Sequence, residues 1–269
     1  MPLLSDTDLW LRRFHDAPQG AAPRVVCFPH AGGAASWYRP LATGLATRAE
    51  VLVVQYPGRQ DRHNEPLIDD VHVLARRITE VVAPLRDRPL VLFGHSMGAS
   101  VAFEVATALQ AGSAEVAHLY VSGRRAPQHS HDEQVHRLDD AGVIAEVRRL
   151  AGTDSRVFDD EELVRMVLPA IRGDYRAAET YRYRPGPPLT CPVTALTGDA
   201  DPKTTVQEAA DWQERTTGSF QLRVFPGGHF FLAEHSEAVM DLLSGESPSA
   251  RRSTLTPVPG PSPRGPSAC

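Results

Sequence analysis

The residues with the clearest chemical potential are a serine, a histidine and a pair of aspartates, each placed just after an apolar run. Gly94-His95-Ser96-Met97-Gly98 follows the run at 90–93 and precedes a helical pattern. A serine at a sharp strand-to-helix turn has an exposed hydroxyl on a strained backbone, and glycines two residues to either side let the chain approach closely. The N-terminus of the following helix turns its free N–H groups and positive dipole end toward any anion formed there. Such a hydroxyl is a poor nucleophile at neutral pH unless a base takes its proton, and the base needs a carboxylate to orient it. His229, in Pro226-Gly227-Gly228-His229-Phe230-Phe231, follows the last apolar run and is the expected base; His235, six residues on, is poorly placed. Gly198-Asp199-Ala200-Asp201-Pro202 offers two acids after the preceding run. Asp201 lies deeper in the loop, with Pro202 directing the exit, whereas Asp199 is better placed to bond loop amides, so Asp201 is the expected partner of His229.

An acyl-transfer site also needs donors for an oxyanion. The Met97 N–H supplies one. The glycine-rich turn Phe28-Pro29-His30-Ala31-Gly32-Gly33 supplies another, from Ala31. His30 is expected to brace this turn through hydrogen bonds rather than act as a base or ligand. The segment from His129 to His136 holds three histidines in a polar linker, which are expected to be solvated rather than to bind metal. No G-x-G-x-x-G or Walker loop is present, so nothing points to a nucleotide. No metal or cofactor is expected.

The elements that must position these groups alternate in the α/β manner. Apolar runs at 25–28, 51–55, 90–93, 119–122, 193–197 and 222–225 read as strands of a mostly parallel sheet. Val71, Leu74, Ile78 and Val81 mark one helix face, and Val101, Val105 and Ala108 another. A weaker helical pattern covers 205–215. Between 124 and 188 the alternation stops, and three helical patterns replace it: Val143, Val147 and Leu150; Leu163, Val164, Val167, Leu168 and Ile171; and Tyr175, Ala178 and Tyr181 or Tyr183. A helical insertion at the carboxyl ends of parallel strands would lie over the usual ligand crevice as a lid. The three tyrosines are expected to pack more than to touch substrate. Residues 1–123 and 189–244 are thus expected to form the core, 124–188 the lid, and 245–269 a disordered tail. Fourteen of the 25 tail residues are Pro, Gly or Ser, too poor in apolar side chains to offset ordering entropy.

Composition sets the outer bounds. The 269 residues carry 28 basic and 33 acidic side chains, a formal charge of −5, which disfavours a nucleic-acid binder. No run reaches the roughly 20 apolar residues of a membrane span, and the first residues lack the pattern of a signal peptide. Three cysteines cannot all pair, and Cys27 and Cys191 are expected as buried thiols. A soluble cytoplasmic enzyme is the expectation.

Taken in order from Leu9 to Leu243, these segments, together with Gln55-Tyr56-Pro57-Gly58-Arg59-Gln60-Asp61-Arg62 and Ser122-Gly123-Arg124-Arg125-Ala126-Pro127, resemble the type II thioesterases. These are the stand-alone editing enzymes of polyketide synthases and nonribosomal peptide synthetases. The resemblance implies an α/β-hydrolase fold with a helical lid. It also implies hydrolysis of stalled acyl groups from the phosphopantetheine arms of acyl or peptidyl carrier proteins, with Ser96 as nucleophile, His229 as base and Asp201 as its partner. Arg59, Arg62, Arg124 and Arg125 lie in the two segments that ordinary esterases do not share. They could meet an acidic carrier or its phosphate, or simply brace their loops. Two other readings stay open: a general serine carboxylesterase or acyltransferase, and a non-catalytic carrier-protein binder.

Overall fold

The computed structural model describes residues 6–245 apart from 19, 21 and 151–158; the segment expected as a disordered tail lies outside the described residues, Gly245 excepted. A short helix, α1 (Asp6–Trp10), leads directly into strand β1 (Leu11–Arg13). Then come β2 (Arg24–Phe28), α2 (Arg39–Leu45), β3 (Glu50–Val54), α3 (Val71–Val82), β4 (Leu90–His95), α4 (Met97–Ala111) and β5 (His118–Ser122). Two long helices follow, α5 (Asp140–Leu150) and α6 (Glu161–Thr180), before β6 (Val193–Gly198), α7 (Val206–Ala210), β7 (Phe220–Phe225), α8 (Phe231–Glu234) and α9 (Ser236–Leu243).

The seven strands form one sheet in the order β1-β3-β2-β4-β5-β6-β7, parallel throughout except for β1, which runs against β3 with Leu11 opposite Val54. The sequence reading misses β1, whose three residues Leu-Arg-Arg show no alternation. Their place is set by Trp10 and Leu11 packing into the core. The central strands read as unbroken apolar runs because both faces are covered. Val26, Phe28, Leu52, Val54 and Leu92 meet α3 and α4 on one face, while Val25, Cys27, Val51, Val53, Val91 and Phe93 meet α2 and α9 on the other. Helix α4 lies under the sheet's centre and buries side chains almost all around its circumference. Cys27 and Cys191 are both buried thiols, as expected, and burial raises the Cys27 pKa.

The insertion differs from its sequence reading in one respect. The second and third patterns are one helix, α6, of 20 residues, running through Pro169. Asp160 caps it, its carboxylate accepting from the N–H groups of Glu162 (2.8 Å) and Leu163 (3.2 Å), and Glu161 and Glu162 complement the dipole in the first turn. Proline removes one N–H and crowds the preceding turn, a real cost. Packing of Leu168, Ile171 and Tyr175 against Val143 and Val147 of α5 offsets it. Tyr181 and Tyr183 lie beyond the helix end; the Tyr181 hydroxyl donates to Glu104 (2.5 Å). The pattern at 205–215, by contrast, is divided: a capping box of Thr205 and Glu208 opens α7, and a 3-10 turn, Asp211–Arg215, completes it.

Candidate active site

Because β2, β4, β6 and β7 are parallel, the loops after them emerge at one edge of the sheet. Ser96 follows β4 with φ 55° and ψ −121°, a conformation L-residues rarely adopt. The glycines around it have steric reasons. A Cβ on Gly94 would stand 2.2 Å from the Gly98 carbonyl oxygen, and one on Gly98 would stand 2.0 Å from that of Phe28. The turn therefore closes only with glycine at both places. Met97 is the first residue of α4, so its N–H has no acceptor within the helix.

His229 and Asp201 converge on the serine. Asp201 Oδ1 and Oδ2 accept from His229 Nδ1 at 3.0 and 2.9 Å, and His229 Nε2 lies 3.0 Å from Ser96 Oγ. An ionised carboxylate only accepts, so the proton belongs on Nδ1 and Nε2 is left as the free base facing the hydroxyl. The side chains of both His229 and Asp201 are buried. Asp201 Oδ1 also accepts from the Lys203 N–H (2.8 Å), which fixes the carboxylate at the head of its loop. Asp199 does something else: its Oδ1 accepts from the Gly227 N–H (2.9 Å) and ties the loop after β6 to the loop after β7. The two loops touch so closely that a Cβ on Gly198 would stand 2.3 Å from the Gly227 carbonyl oxygen.

Opposite them, Ala31 lies in the turn after β2. Among the described residues its N–H has no acceptor, whereas the next two are taken, Gly32 by Asp174 Oδ2 (2.7 Å) and Gly33 by the His30 carbonyl (2.9 Å). Ser96, His229 and Ala31 border one narrow cavity, open to solvent, with Arg124, Arg125, Tyr175, Ala178 and Phe230 among its other walls. Tyr175, on α6, is thus both a packing residue and part of this wall.

Two residues of the site escaped the sequence reading. His95 and Phe230 pack around the His229 ring, with centroids 5.0 and 5.2 Å away, the phenyl ring perpendicular. Each adjoins a residue already singled out, and their aromatic type was the available signal. His30 departs from expectation: it does not brace its turn by side-chain hydrogen bonds. Among the described residues its Nδ1 has no hydrogen-bond partner, and the ring packs edge-on against Trp37 and Phe230 at 5.0 and 4.8 Å. Burial, then the charges of His229 and Arg59, lowers its pKa to about 3.

The four arginines separate. Arg59 is buried against Asp174, and Arg62 is buried between Glu65 (2.7 Å), the Gln55 carbonyl (2.7 Å) and the face of Trp10. Both guanidiniums therefore face the chain's own groups rather than solvent. Arg125 is buried as well and donates to the Lys203 carbonyl (3.0 Å). Arg124 is half-buried at the cavity wall, with Nε on Ser100 Oγ and Nη2 on the Ala178 carbonyl, both 3.0 Å. The linker histidines each meet a different carboxylate: His129 Asp211, His131 Glu208 and His136 Glu179. Among the described residues no cluster that could hold a metal ion forms, and no helix is long and apolar enough to cross a membrane.

Burial holds several imidazoles neutral. Besides His30, it lowers His95 well below the ordinary value and His118 to about 4. In the unfolded chain these groups titrate near 6.5. Below that pH the unfolded state binds more protons than the folded one, so stability is full above about pH 6.5 and is lost as pH falls toward 4. The melting temperature, followed by circular dichroism, should decline between pH 6.5 and 5, before carboxylates titrate. A flat profile there would contradict the neutral assignment.

The chain matches the family model of the thioesterase domain over residues 23–246. It is 54% identical over 230 residues to a Streptomyces griseus protein named "Probable cadicidin biosynthesis thioesterase", the match covering 86% of this chain and 63% of that one. It is 50% identical to thioesterase PikA5 of Streptomyces venezuelae, over 90% of this chain and 87% of that one. Among solved structures, it is similar to the type II thioesterase BorB of the borrelidin biosynthetic cluster, with TM-score 0.83 and 50% identity over 89% of this chain and 98% of that one.

Proposed function

The chain belongs to the thioesterase family, and on that premise we propose that it hydrolyses stalled or aberrant acyl groups from the phosphopantetheine arms of carrier proteins in polyketide or nonribosomal peptide assembly. The observation that carries this reading is the unbroken chain from Asp201 through His229 to Ser96 at hydrogen-bond distances on the wall of a cavity. In this reading helices α5 and α6 are its lid, since they supply Val147, Tyr175 and Ala178 to the cavity wall.

The chemistry follows in balanced steps. His229 Nε2 takes the Ser96 proton as Oγ bonds to the thioester carbon, and the carbonyl oxygen becomes an oxyanion facing the Met97 and Ala31 N–H groups. Asp201 stabilises the imidazolium. When the intermediate collapses, the C–S bond breaks and the pantetheine sulfur takes the proton from His229; a thiol of pKa about 8.5 leaves readily. Water then attacks the acyl-serine, passing a proton to His229, and the serine oxygen leaves with that proton as the acid is released. Arg124 and Arg125 both line the cavity, and Arg124, the more exposed of the two, is the better placed to touch the arm.

A direct test compares acyl-carrier thioesters, their N-acetylcysteamine analogues and the matching ethyl esters. The carrier-bound thioesters should have the highest kcat/KM. Equal or faster cleavage of the oxygen esters would favour a general carboxylesterase, and carrier binding without hydrolysis would favour a binding protein.

A further inference from the structure

The turn that carries the Ala31 N–H is held partly from within and partly from outside. The Ala31 N–H belongs to the peptide group whose carbonyl is that of His30, and that carbonyl accepts from the Gly33 N–H (2.9 Å). The rest of the turn is fixed from outside. Asp174 Oδ2, on α6, accepts from the Gly32 N–H (2.7 Å) and from Arg59 Nη1 (2.6 Å), while its Oδ1 accepts from Arg59 Nη2 (2.8 Å). Arg59 Nη1 also donates to the Gly33 carbonyl (3.0 Å). Asp174 and Arg59 are both buried, where a bidentate pair is strong and a lone charge is not tolerated. Gly32 has φ +75°, and a Cβ there would approach Ile171 of α6 to 2.9 Å. The same stretch of helix supplies Tyr175 and Ala178 to the cavity.

We propose that Asp174, with Arg59, is a positioning residue for the oxyanion hole: it anchors the 30–33 turn to α6, so that the second donor is in place only while that helix lies on the turn. This rests on the assignment of Ser96 as nucleophile and Ala31 as donor. Its consequence is that the insertion both walls the acyl cavity and switches the hole on. A helix that lifts away takes Asp174 from the Gly32 N–H, and acyl transfer slows even where the triad is intact.

An oxyanion donor acts in the transition state and not on the bound substrate, so its displacement lowers kcat and leaves KM nearly unchanged. The variants are Asp174→Asn, and Arg59→Met combined with Asp174→Leu, which removes both buried charges together. With S-propionyl-N-acetylcysteamine, kcat should fall by about 30-fold to 1000-fold with KM within threefold. Affinity for an alkyl trifluoromethyl ketone, which forms an oxyanion adduct on a nucleophilic serine, should fall in the same proportion. A folded double variant with kcat within threefold of the parent would overturn the proposal. In the parent protein, the Gly32 amide should exchange with deuterium no faster than the amides of α6 around Asp174. Free exchange at Gly32 would overturn the proposal without any variant. Absence of thioester hydrolysis by the parent would instead strike at the assignment of the site.

Discussion

Replacing Ser96 with alanine should lower kcat for thioester hydrolysis by about 10⁴- to 10⁶-fold, because the covalent route disappears and only binding and oxyanion stabilisation remain. The fold should be untouched. Ser96 Oγ has His229 Nε2 as its partner, and losing one such bond costs about 0.5–1.5 kcal/mol, a change of a few degrees at most in melting temperature. The strained backbone at φ 55° is imposed by the packing of Gly94 and Gly98 and persists in the variant. Steady-state kinetics provide one readout. Intact mass spectrometry provides another: a slowly turned-over thioester should leave an acyl adduct on the parent and none on Ser96→Ala. Retention of activity within tenfold would remove the serine from the mechanism and favour the binding-protein reading.

The second large effect separates two aspartates that stand two residues apart. Asp201→Asn should reduce kcat by about 10³- to 10⁴-fold, since an amide can present an N–H to Nδ1 and so turn Nε2 from base into donor. Asp199→Asn should change kcat by less than about threefold, because an amide oxygen still accepts from the Gly227 N–H that Asp199 holds at 2.9 Å. The measurement is kcat on one small thioester for both variants beside the parent, with circular dichroism to verify folding. A large loss at 199 with little at 201 would move the orienting acid to the other position.

Much of this arrangement was readable along the chain because parallel α/β sheets place their loops predictably. An apolar run followed by Gly-x-Ser-x-Gly places a serine at a strand's carboxyl end whatever the rest of the molecule does. The same logic places Asp201 and His229 after β6 and β7. The choice of Asp201 over Asp199 also came from local position, and the contacts of the two carboxylates differ in the way that position suggested. What stayed open along the chain was the role of the arginines, as contacts to a carrier or as braces of their own loops. Arg59 and Arg62 stand in polar, glycine-containing stretches, which look like exposed loop. Asp174 lies 115 residues from Arg59, and no periodicity or composition links them. His30 was expected to bond and instead packs by ring edges, because its neighbours Trp37, His95 and Phe230 come from three separate segments.

By itself, then, the amino-acid sequence determined the strand and helix alternation, the strained serine turn, and the residue types that stand at the ends of β2, β4, β6 and β7. These depend on side-chain period, glycine sterics and hydrogen bonding within a few residues. Only the tertiary structure decided which buried arginine meets which carboxylate, that α6 runs unbroken through Pro169, and that its Asp174 holds the turn bearing Ala31. The reason is physical: a charge taken out of water needs a partner at about 3 Å, and which partner arrives is settled by packing between elements far apart in the chain.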